Sequence, residues 1–282
     1  MTEKTGAIVT ADWLHHRLGQ PGLTVIDASW YLPAQNRDPK AEYDTAHIPG
    51  AIFFDHDLVV EPGVDLPHAL PSPLEFERHV SSMGITAHDT IVIYDGPGFF
   101  SAPRAWWLFR TFGARDVHVL DGGLDRWKAE GRPITDKPTH CAGAFFKIDF
   151  DKNAVVTHGE MREIVGKGLA QVADARPAGR FAGRDPEPRP GVRGGHMPGA
   201  VNVPALELSK DGSLLPPDQL RARFEAAGID WGKPVVTSCG SGITAAVLSL
   251  ALHEAGHGQN RLYDGSWTEW GSREDTPVVK DE

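Results

Sequence analysis

The chain has 282 residues, of which 40% are hydrophobic and 23% are charged, a composition typical of one large or two ordinary globular domains. Its formal net charge of −10 argues against binding to nucleic acids or anionic membranes. Two cysteines, Cys141 and Cys239, are few for a disulfide-stabilised protein and favour a reducing compartment. Neither an apolar signal region nor a run of about eighteen apolar residues occurs, so we expect a soluble, cytoplasmic protein.

Helices and strands are predicted to alternate in the first half of the chain. Periodic apolar patterns predict helices at residues 10–18, 73–83, 102–112 and 125–130. Short runs of β-branched and apolar residues predict strands at residues 23–28, 90–94 and 117–120. Thr10 is a suitable N-cap for the first helix. The aromatic side chains between Phe99 and Trp127 are predicted to lie in the core and at an interface.

The second half repeats this order of elements. Helices are predicted at residues 157–165, 217–227 and 243–254, and strands at 170–175, from 235, and at 261–263. Short motifs also recur in the same order: residues 25–29 match 172–176, 47–51 match 196–200, and 121–124 with Trp127 match 264–267 with Trp270. This internal duplication predicts two α/β domains, each a mostly parallel sheet flanked by helices.

The predicted boundaries are an N-terminal domain at residues 1–138, a linker at 139–153 and a C-terminal domain at 154–282. A single larger α/β domain is the alternative. Within the duplication, Cys239 aligns with Asp95, so only the second half carries a thiol at this position. We therefore expect the C-terminal domain to be catalytic and the N-terminal domain to be non-catalytic.

Cys239 lies in a turn between a predicted strand and a predicted helix, next to Gly240 and Gly242. In such a turn the backbone N–H groups and the helix N-terminus favour the thiolate, which is the nucleophilic form of cysteine. The arrangement predicts a nucleophile. A buried structural cysteine is the alternative.

The sequence Cys-Gly-Ser-Gly-Ile-Thr-Ala at residues 239–245 resembles the active-site loop of 3-mercaptopyruvate sulfurtransferases, within the rhodanese superfamily. Ile243 stands where valine is more usual. The resemblance implies two tandem rhodanese-like domains, transfer of sulfur from 3-mercaptopyruvate through a Cys239 persulfide, and release of pyruvate. It implies a thiol acceptor such as thioredoxin or a small thiol, and no metal or organic cofactor.

Thiosulfate-preferring rhodaneses carry basic residues after the cysteine, whereas Gly240 and Ser241 are neutral. A thiosulfate donor, and a persulfide carrier or docking module without turnover, remain alternatives.

Five arginines occur between the strand at 170–175 and the motif at 196–200: Arg176, Arg180, Arg184, Arg189 and Arg193. In an acidic chain such a cluster is a candidate anion clamp, because guanidinium groups bind carboxylates through paired hydrogen bonds. For Arg184 and Arg193 we favour a solvated loop with local acidic partners. The resemblance assigns binding of the substrate's carboxylate and keto groups to Arg180 and Arg189. The predicted substrate-binding residues are Arg180, Arg189, Gly240, Gly242, Ile243 and Thr244.

The resemblance also implies a proton relay formed by Ser241, His68 and Asp57. His56 and Asp65 are nearby competitors for the last two roles. A surface-loop histidine is the alternative for His68. Such a relay would orient a base and move a proton during turnover.

Two other sequence patterns overlap the Cys239 loop and the helix that follows it. The sequence His-Glu-Ala-Gly-His at residues 253–257 fits the H-E-x-x-H zinc pattern, but Gly256 and Gly258 predict that the helix ends there. A cysteine phosphatase needs an arginine six residues after its nucleophile, and position 245 is alanine.

Overall fold

A computed structural model of the chain describes residues 6–281. They form two compact units. The first comprises the described residues up to Pro62, together with Leu70–Asp151 and Lys210–Leu214. The second comprises Gly63–Ala69, Lys152–Ser209 and the residues from Leu215 onward. Each unit therefore includes one short segment from the other half of the sequence.

The first unit is built on a five-stranded parallel sheet with the strand order β1-β5-β4-β2-β3. Its strands are β1 (Ile8–Val9), β2 (Leu23–Asp27), β3 (Ala51–Phe53), β4 (Thr90–Tyr94) and β5 (Asp116–Leu120). Its helices are α1 (Ala11–His15), α2 (Pro39–Thr45), α3 (Pro73–Ser82), α4 (Ala102–Thr111) and α5 (Gly123–Ala129). The Thr10 side chain accepts a hydrogen bond from the Trp13 N–H, as predicted for an N-cap.

The second unit has a parallel sheet with the equivalent order, β6-β12-β11-β7-β8. Its strands are β6 (Val155–Val156), β7 (Gln171–Asp174), β8 (Val201–Asn202), β11 (Val235–Ser238) and β12 (Asn260–Tyr263). Ser209–Lys210 (β9) and Ser213–Leu214 (β10) form a separate two-stranded sheet, and its residues from Lys210 onward belong to the first unit. The helices are α6 (His158–Lys167), α7 (Ala178–Phe181), α8 (Pro217–Ala226), α9 (Ala245–Glu254) and α10 (Ser266–Ser272).

The predicted α/β fold with two mostly parallel sheets is confirmed. β4 and β11 are the middle strands of the two sheets, and β11 is buried along its whole length, as expected for a parallel strand covered on both faces. Every helix and strand predicted from periodicity is present, with ends that differ by a few residues. The elements that were not predicted are short ones, such as β3 and α7, because a few residues carry too little periodicity.

The predicted linker packs against the first unit. Residues 139–150 have no regular secondary structure, yet Phe146 is fully buried. Its ring contacts those of Phe76 and Phe109, which belong to the helices α3 and α4. The Phe146 N–H also donates to the hydroxyl of Ser81. Apolar burial therefore ties this segment to the first unit, which extends to Asp151.

Asp95 follows the middle strand of the first unit and is 1% exposed. Its carboxylate accepts hydrogen bonds from four backbone N–H groups, those of Gly98 (2.6 Å), Phe100 (2.8 Å), Ser101 (2.7 Å) and Ala102 (2.8 Å). The last of these groups is at the start of α4. Burial raises the pKa of Asp95, while these four hydrogen bonds lower it. The loop that aligns with the Cys239 loop is thus closed around its own side chain.

We expect Asp95→Asn to lower the free energy of unfolding by about 2 kcal/mol or more, because an amide cannot accept from all of these N–H groups and leaves buried donors unpaired. Urea denaturation followed by circular dichroism measures the change. Asp136→Asn, at an exposed position, is the matched control. Equal stability of Asp95→Asn and wild type would contradict the account.

Asp27, at the end of β2, is a second buried carboxylate of this unit. Its Oδ1 accepts from the N–H and the hydroxyl of Ser29. Burial raises the pKa of Asp27 from 3.8 to about 6, although the bonds from Ser29 oppose the shift. The matching residue of the second unit, Asp174, instead pairs with the Arg176 guanidinium.

A raised folded-state pKa means that the folded protein binds the Asp27 proton more tightly than the unfolded chain does. Its contribution to stability is present below pH 3.8 and is lost as the pH rises through about 6. We expect the stability of wild type relative to Asp27→Asn to fall by about 2.5 kcal/mol between pH 4 and pH 8. Urea titrations of both proteins across this range provide the test, and a difference that does not vary with pH would refute it.

Candidate active site

Cys239 directly follows β11 and is 1% exposed. The backbone N–H of Gly242 donates to its Sγ at 3.0 Å. Gly242 has a φ of +87°, in the left-handed region that favours glycine, and this turn aims its N–H at the sulfur. Ile243 is buried, and Thr244 immediately precedes α9. The predicted strand-turn-helix setting of the thiol is therefore present, with the helix beginning two residues later than predicted.

The first turn of α10 holds the Cys239 loop from the other side. The Trp267 N–H donates to the Cys239 carbonyl at 2.9 Å. Both the N–H and the hydroxyl of Thr268 donate to the Gly240 carbonyl, at 2.9 and 2.6 Å. The Cys239 N–H donates to Oγ of Ser266 at 3.1 Å. These bonds fix the backbone on each side of the sulfur.

Ser266 is a site residue that sequence reasoning missed. Its Oγ lies 3.9 Å from Cys239 Sγ and 3.0 Å from the Tyr263 carbonyl, so its single proton has two acceptors. The residue is fully buried, with a φ of +50°, which is unfavourable for a side chain other than glycine. The duplication pairs it with Gly123, so this difference between the halves was a signal available in the sequence.

His68 and Ser241 come together in the second unit. His68 Nδ1 and Ser241 Oγ are 3.2 Å apart. His68 is 6% exposed, which is contrary to the alternative of a surface-loop histidine. Its φ of +55° shows that the backbone is held in a conformation rare for this residue, and such conformations are concentrated at functional sites.

Asp57 belongs to the first unit, where its carboxylate accepts from the Trp30 indole N–H at 3.2 Å. Of the two competing residues, His56 is buried and its Nε2 lies 3.1 Å from the carbonyl oxygen of Ala28. Asp65 is exposed. The role of Asp57 in the relay remains a prediction.

The Arg180 guanidinium lies over the Cys239 loop. A β-carbon at position 240 would be 3.2 Å from its Nη2, so the absence of a side chain at Gly240 makes room for the arginine. The same Nη2 donates to Oε2 of Glu187 at 2.5 Å. Within residues 6–281, the buried Nε has no acceptor. A charged donor therefore stands beside Gly240, the residue that follows the predicted nucleophile.

Arg189 contacts α10, which in turn binds the Cys239 loop. Its Nη1 lies 3.4 Å from Oγ1 of Thr268, whose N–H and hydroxyl bind the Gly240 carbonyl. Burial and the neighbouring Arg180 guanidinium lower the pKa of Arg189, and the proximity of Cys239 opposes this shift. The two arginines predicted to bind substrate thus lie close to one another and to the loop.

The other arginines of the cluster differ in their settings. Arg184 is exposed. Arg193 does not occupy the solvated position with acidic partners that we expected: its guanidinium donates to the carbonyls of Gly271 and Thr276 and to the Thr276 hydroxyl, past the end of α10. A cation there satisfies carbonyls that a helix end leaves without partners.

Arg176 is 1% exposed and lies behind the site. It binds both carboxylate oxygens of Asp174, Oε1 of Glu187 and the carbonyl of Gly195. Although burial opposes the charge, Asp174 and Glu187 hold the pKa of Arg176 above its usual value. Sequence reasoning missed Glu187 and Asp174, because nothing in the spacing shows which acid pairs with which arginine.

Among residues 6–281, no group of three or more His, Cys, Asp or Glu side chains is arranged to hold a metal ion. The zinc-like pattern is interrupted, as predicted, because α9 ends at Glu254 and leaves His257 outside the helix. There His257 Nε2 lies 3.1 Å from the Lys233 carbonyl. Over the same residues, no helix combines the length and the apolar character that a membrane span requires.

Chemically, the second unit presents a buried thiol with an N–H donor, a hydroxyl–imidazole pair and two arginines around one loop. The donors stabilise negative charge on sulfur. The arginines suit a substrate with a planar anionic group. The arrangement fits nucleophilic attack by sulfur on an anionic substrate.

Comparison with known proteins agrees with this geometry. The rhodanese-like domain family model matches residues 10–130 and 157–273. The chain is 42% identical to the 3-mercaptopyruvate sulfurtransferase of Escherichia coli K12, over 96% of each chain. It is 40% identical to the thiosulfate sulfurtransferase of Bos taurus, over 94% of this chain and 91% of that protein.

Among solved structures, the chain is similar to SseA from Escherichia coli, described as a 3-mercaptopyruvate sulfotransferase with the rhodanese fold. The TM-score is 0.87 at 39% sequence identity, covering 93% of this chain and 99% of that one. Since the family model matches both halves of the duplication, the chain belongs to the rhodanese family and carries two rhodanese-like domains in tandem.

Proposed function

We propose that this protein is a 3-mercaptopyruvate sulfurtransferase whose nucleophile is Cys239. The observation that carries the proposal is the Arg180 guanidinium beside Gly240, the residue next to the thiol. A donor with a carboxylate fits paired N–H groups of this kind, and Arg189 supplies a second cation. Binding the carboxylate end would hold the donor sulfur close to Cys239 Sγ.

In the proposed step, the Cys239 thiolate attacks the sulfur of 3-mercaptopyruvate. A new S–S bond forms, and the C–S bond of the donor breaks. The electron pair of that bond passes into the enolate of pyruvate. The donor carbon is therefore reduced, and the two sulfur atoms are oxidised to the persulfide of Cys239. No metal or organic cofactor is required for this balance.

The loop stabilises the anion before and after the step. The Gly242 N–H faces Sγ, and N–H groups between Gly240 and Thr244 are proposed to bind the persulfide. The Ser241–His68 pair, with Asp57 as the third member of the relay, is proposed to deliver the proton that converts the enolate into pyruvate.

A thiol acceptor completes the cycle. Thioredoxin or a small thiol is proposed to take the outer sulfur, which breaks the persulfide S–S bond and restores the Cys239 thiolate. Cys239 and Cys141 are both free thiols, which supports a reducing compartment such as the cytoplasm. The C-terminal domain, residues 154–282, is proposed to be catalytic, and the N-terminal domain, residues 1–138, to be non-catalytic.

Thiosulfate is the second candidate donor, because a thiosulfate sulfurtransferase is 40% identical to this chain. The neutral residues Gly240 and Ser241 favour the carboxylate donor, since they leave the positive charge to the two arginines, of which Arg180 lies beside Gly240. A persulfide carrier without turnover is the third candidate. It would load sulfur once and release no catalytic amount of pyruvate.

With 3-mercaptopyruvate and a thiol acceptor, wild type is expected to release pyruvate over many turnovers, with a kcat/KM well above that for thiosulfate. Cys239→Ser is expected to abolish release because the hydroxyl is not ionised at neutral pH. Cys141→Ser is the matched control and is expected to retain full activity. Higher efficiency with thiosulfate would reverse the donor assignment, and a single equivalent of pyruvate would indicate a carrier.

His68→Asn tests the relay, because asparagine tolerates the left-handed backbone found at this position. We expect kcat for 3-mercaptopyruvate to fall about 100-fold, the usual size of a general acid–base contribution. Discharge of a preformed persulfide to cyanide is expected to be unchanged, because that half-reaction needs no enolate protonation. The exposed His88→Asn provides the control, and an unchanged kcat in His68→Asn would remove His68 from the mechanism.

A further inference from the structure

Glu187 links two arginines that have different surroundings. Its side chain is 4% exposed. Oε1 accepts from Arg176 Nη1 at 2.8 Å, and Oε2 accepts from Arg180 Nη2 at 2.5 Å. Both carboxylate oxygens are therefore used, and each binds a different guanidinium. One of these guanidinium groups is buried behind the site, and the other lies over the Cys239 loop.

At the buried end of this series of side chains, Arg176 is bound to the sheet. Arg176 binds both oxygens of Asp174, the last residue of β7, and the carbonyl of Gly195. The guanidinium carbon of Arg176 lies 4.3 Å from the centre of the Trp267 ring, and Trp267 is fully buried. A carboxylate bound to such an anchor has little freedom to move.

At the other end of the series, Arg180 faces the Cys239 loop. Arg180 has a four-residue helix, α7, as its only regular backbone support. Its buried Nε has no acceptor within residues 6–281, and Nη2 lies beside Gly240. The Arg180 side chain is 22% exposed, so the bond to Glu187 restricts a side chain that an anion can still reach at its exposed part.

We propose that Glu187 is a positioning residue, which transmits the rigidity of the Asp174–Arg176 pair to Arg180 and aims that guanidinium at the carboxylate of the sulfur donor. The inference rests on the proposed function for the identity of the donor. The geometric claim concerns any small carboxylate that reacts at Cys239.

Charge and geometry predict opposite results for Glu187→Gln. The substitution removes a negative charge close to Arg180, so simple attraction would make anions react faster at Cys239. Loss of positioning makes them react more slowly, because Arg180 no longer points at the carboxylate. A glutamine keeps the size of the side chain and one acceptor oxygen, so the direction of the change separates the two effects.

The test compares alkylation of Cys239 by iodoacetate, which carries a carboxylate, with alkylation by the neutral iodoacetamide. The ratio of the two rate constants reports the anion clamp, and the neutral reagent corrects for changes in the thiol itself. We expect Glu187→Gln to lower this ratio about 10-fold, because the neutral amide keeps one acceptor oxygen and weakens the hold on Arg180 without removing it. In the Arg180→Gln background, the same substitution should have no further effect.

Glu225→Gln is the matched control, since Glu225 pairs with Arg221 in an exposed position, and its ratio should equal that of wild type. An unchanged or raised ratio in Glu187→Gln, or a further fall in the double variant, would overturn the proposal. If Glu187→Gln does not fold, Glu187→Asp tests the same point, because its shorter side chain cannot span both arginines. Turnover is not needed for this readout, so absence of pyruvate release by wild type would count against the proposed function alone.

Steady-state kinetics give a second readout. If wild type turns over 3-mercaptopyruvate, Glu187→Gln should raise KM about 10-fold while discharge of a preformed persulfide to cyanide stays unchanged. A purely structural role would instead impair both half-reactions together.

Discussion

The loop after the middle strand of each sheet turns backbone N–H groups inward, and buried N–H groups require an acceptor. In the first unit the acceptor is the carboxylate of Asp95, which takes four of them. In the second unit Cys239 stands at the matching place, with the Gly242 N–H on its sulfur. A carboxylate fills its loop permanently, whereas a sulfur atom is reactive and can change its charge and its bonds. The two domains therefore differ in the group that accepts hydrogen bonds from the backbone N–H groups of this loop.

The arginine cluster acts as a series of contacts with decreasing rigidity. Arg176 is bound to the end of β7 and is buried, Glu187 bridges it to Arg180, and Arg180 lies beside Gly240. Uncompensated positive charge would be costly at the buried end, and the two carboxylates of Asp174 and Glu187 offset it. At the open end, the partly exposed Arg180 side chain places Nη2 beside Gly240. The contacts through Arg176 and Glu187 thus hold the Arg180 side chain, which the irregular loop around it could not hold alone.

The sequence predicted the two-fold repeat, the parallel sheets and the strand-turn-helix setting of Cys239, because these depend on local periodicity and on motifs that recur. Apart from the Ser241–His68 pair, which the family resemblance implied, it did not predict which side chains meet. Ser266 contacts the nucleophile only because α10 packs its first turn on the Cys239 loop, and Glu187 is one of several acids near the arginines. Arg193 was expected in solvent, yet it caps α10 from a distant part of the chain. Such contacts arise from tertiary packing, which residue spacing does not encode.

Sulfur is proposed to pass through Cys239 from a donor whose carboxylate the arginines hold. Mass spectrometry of the intact protein after incubation with 3-mercaptopyruvate, without an acceptor, tests it most directly. We expect one sulfur atom to be added to the protein, peptide mapping to locate it on Cys239, and one equivalent of pyruvate to be released with it. Arg180→Gln should load far more slowly at the same donor concentration. Sulfur on Cys141, or pyruvate formed without any gain in mass at Cys239, would contradict the account.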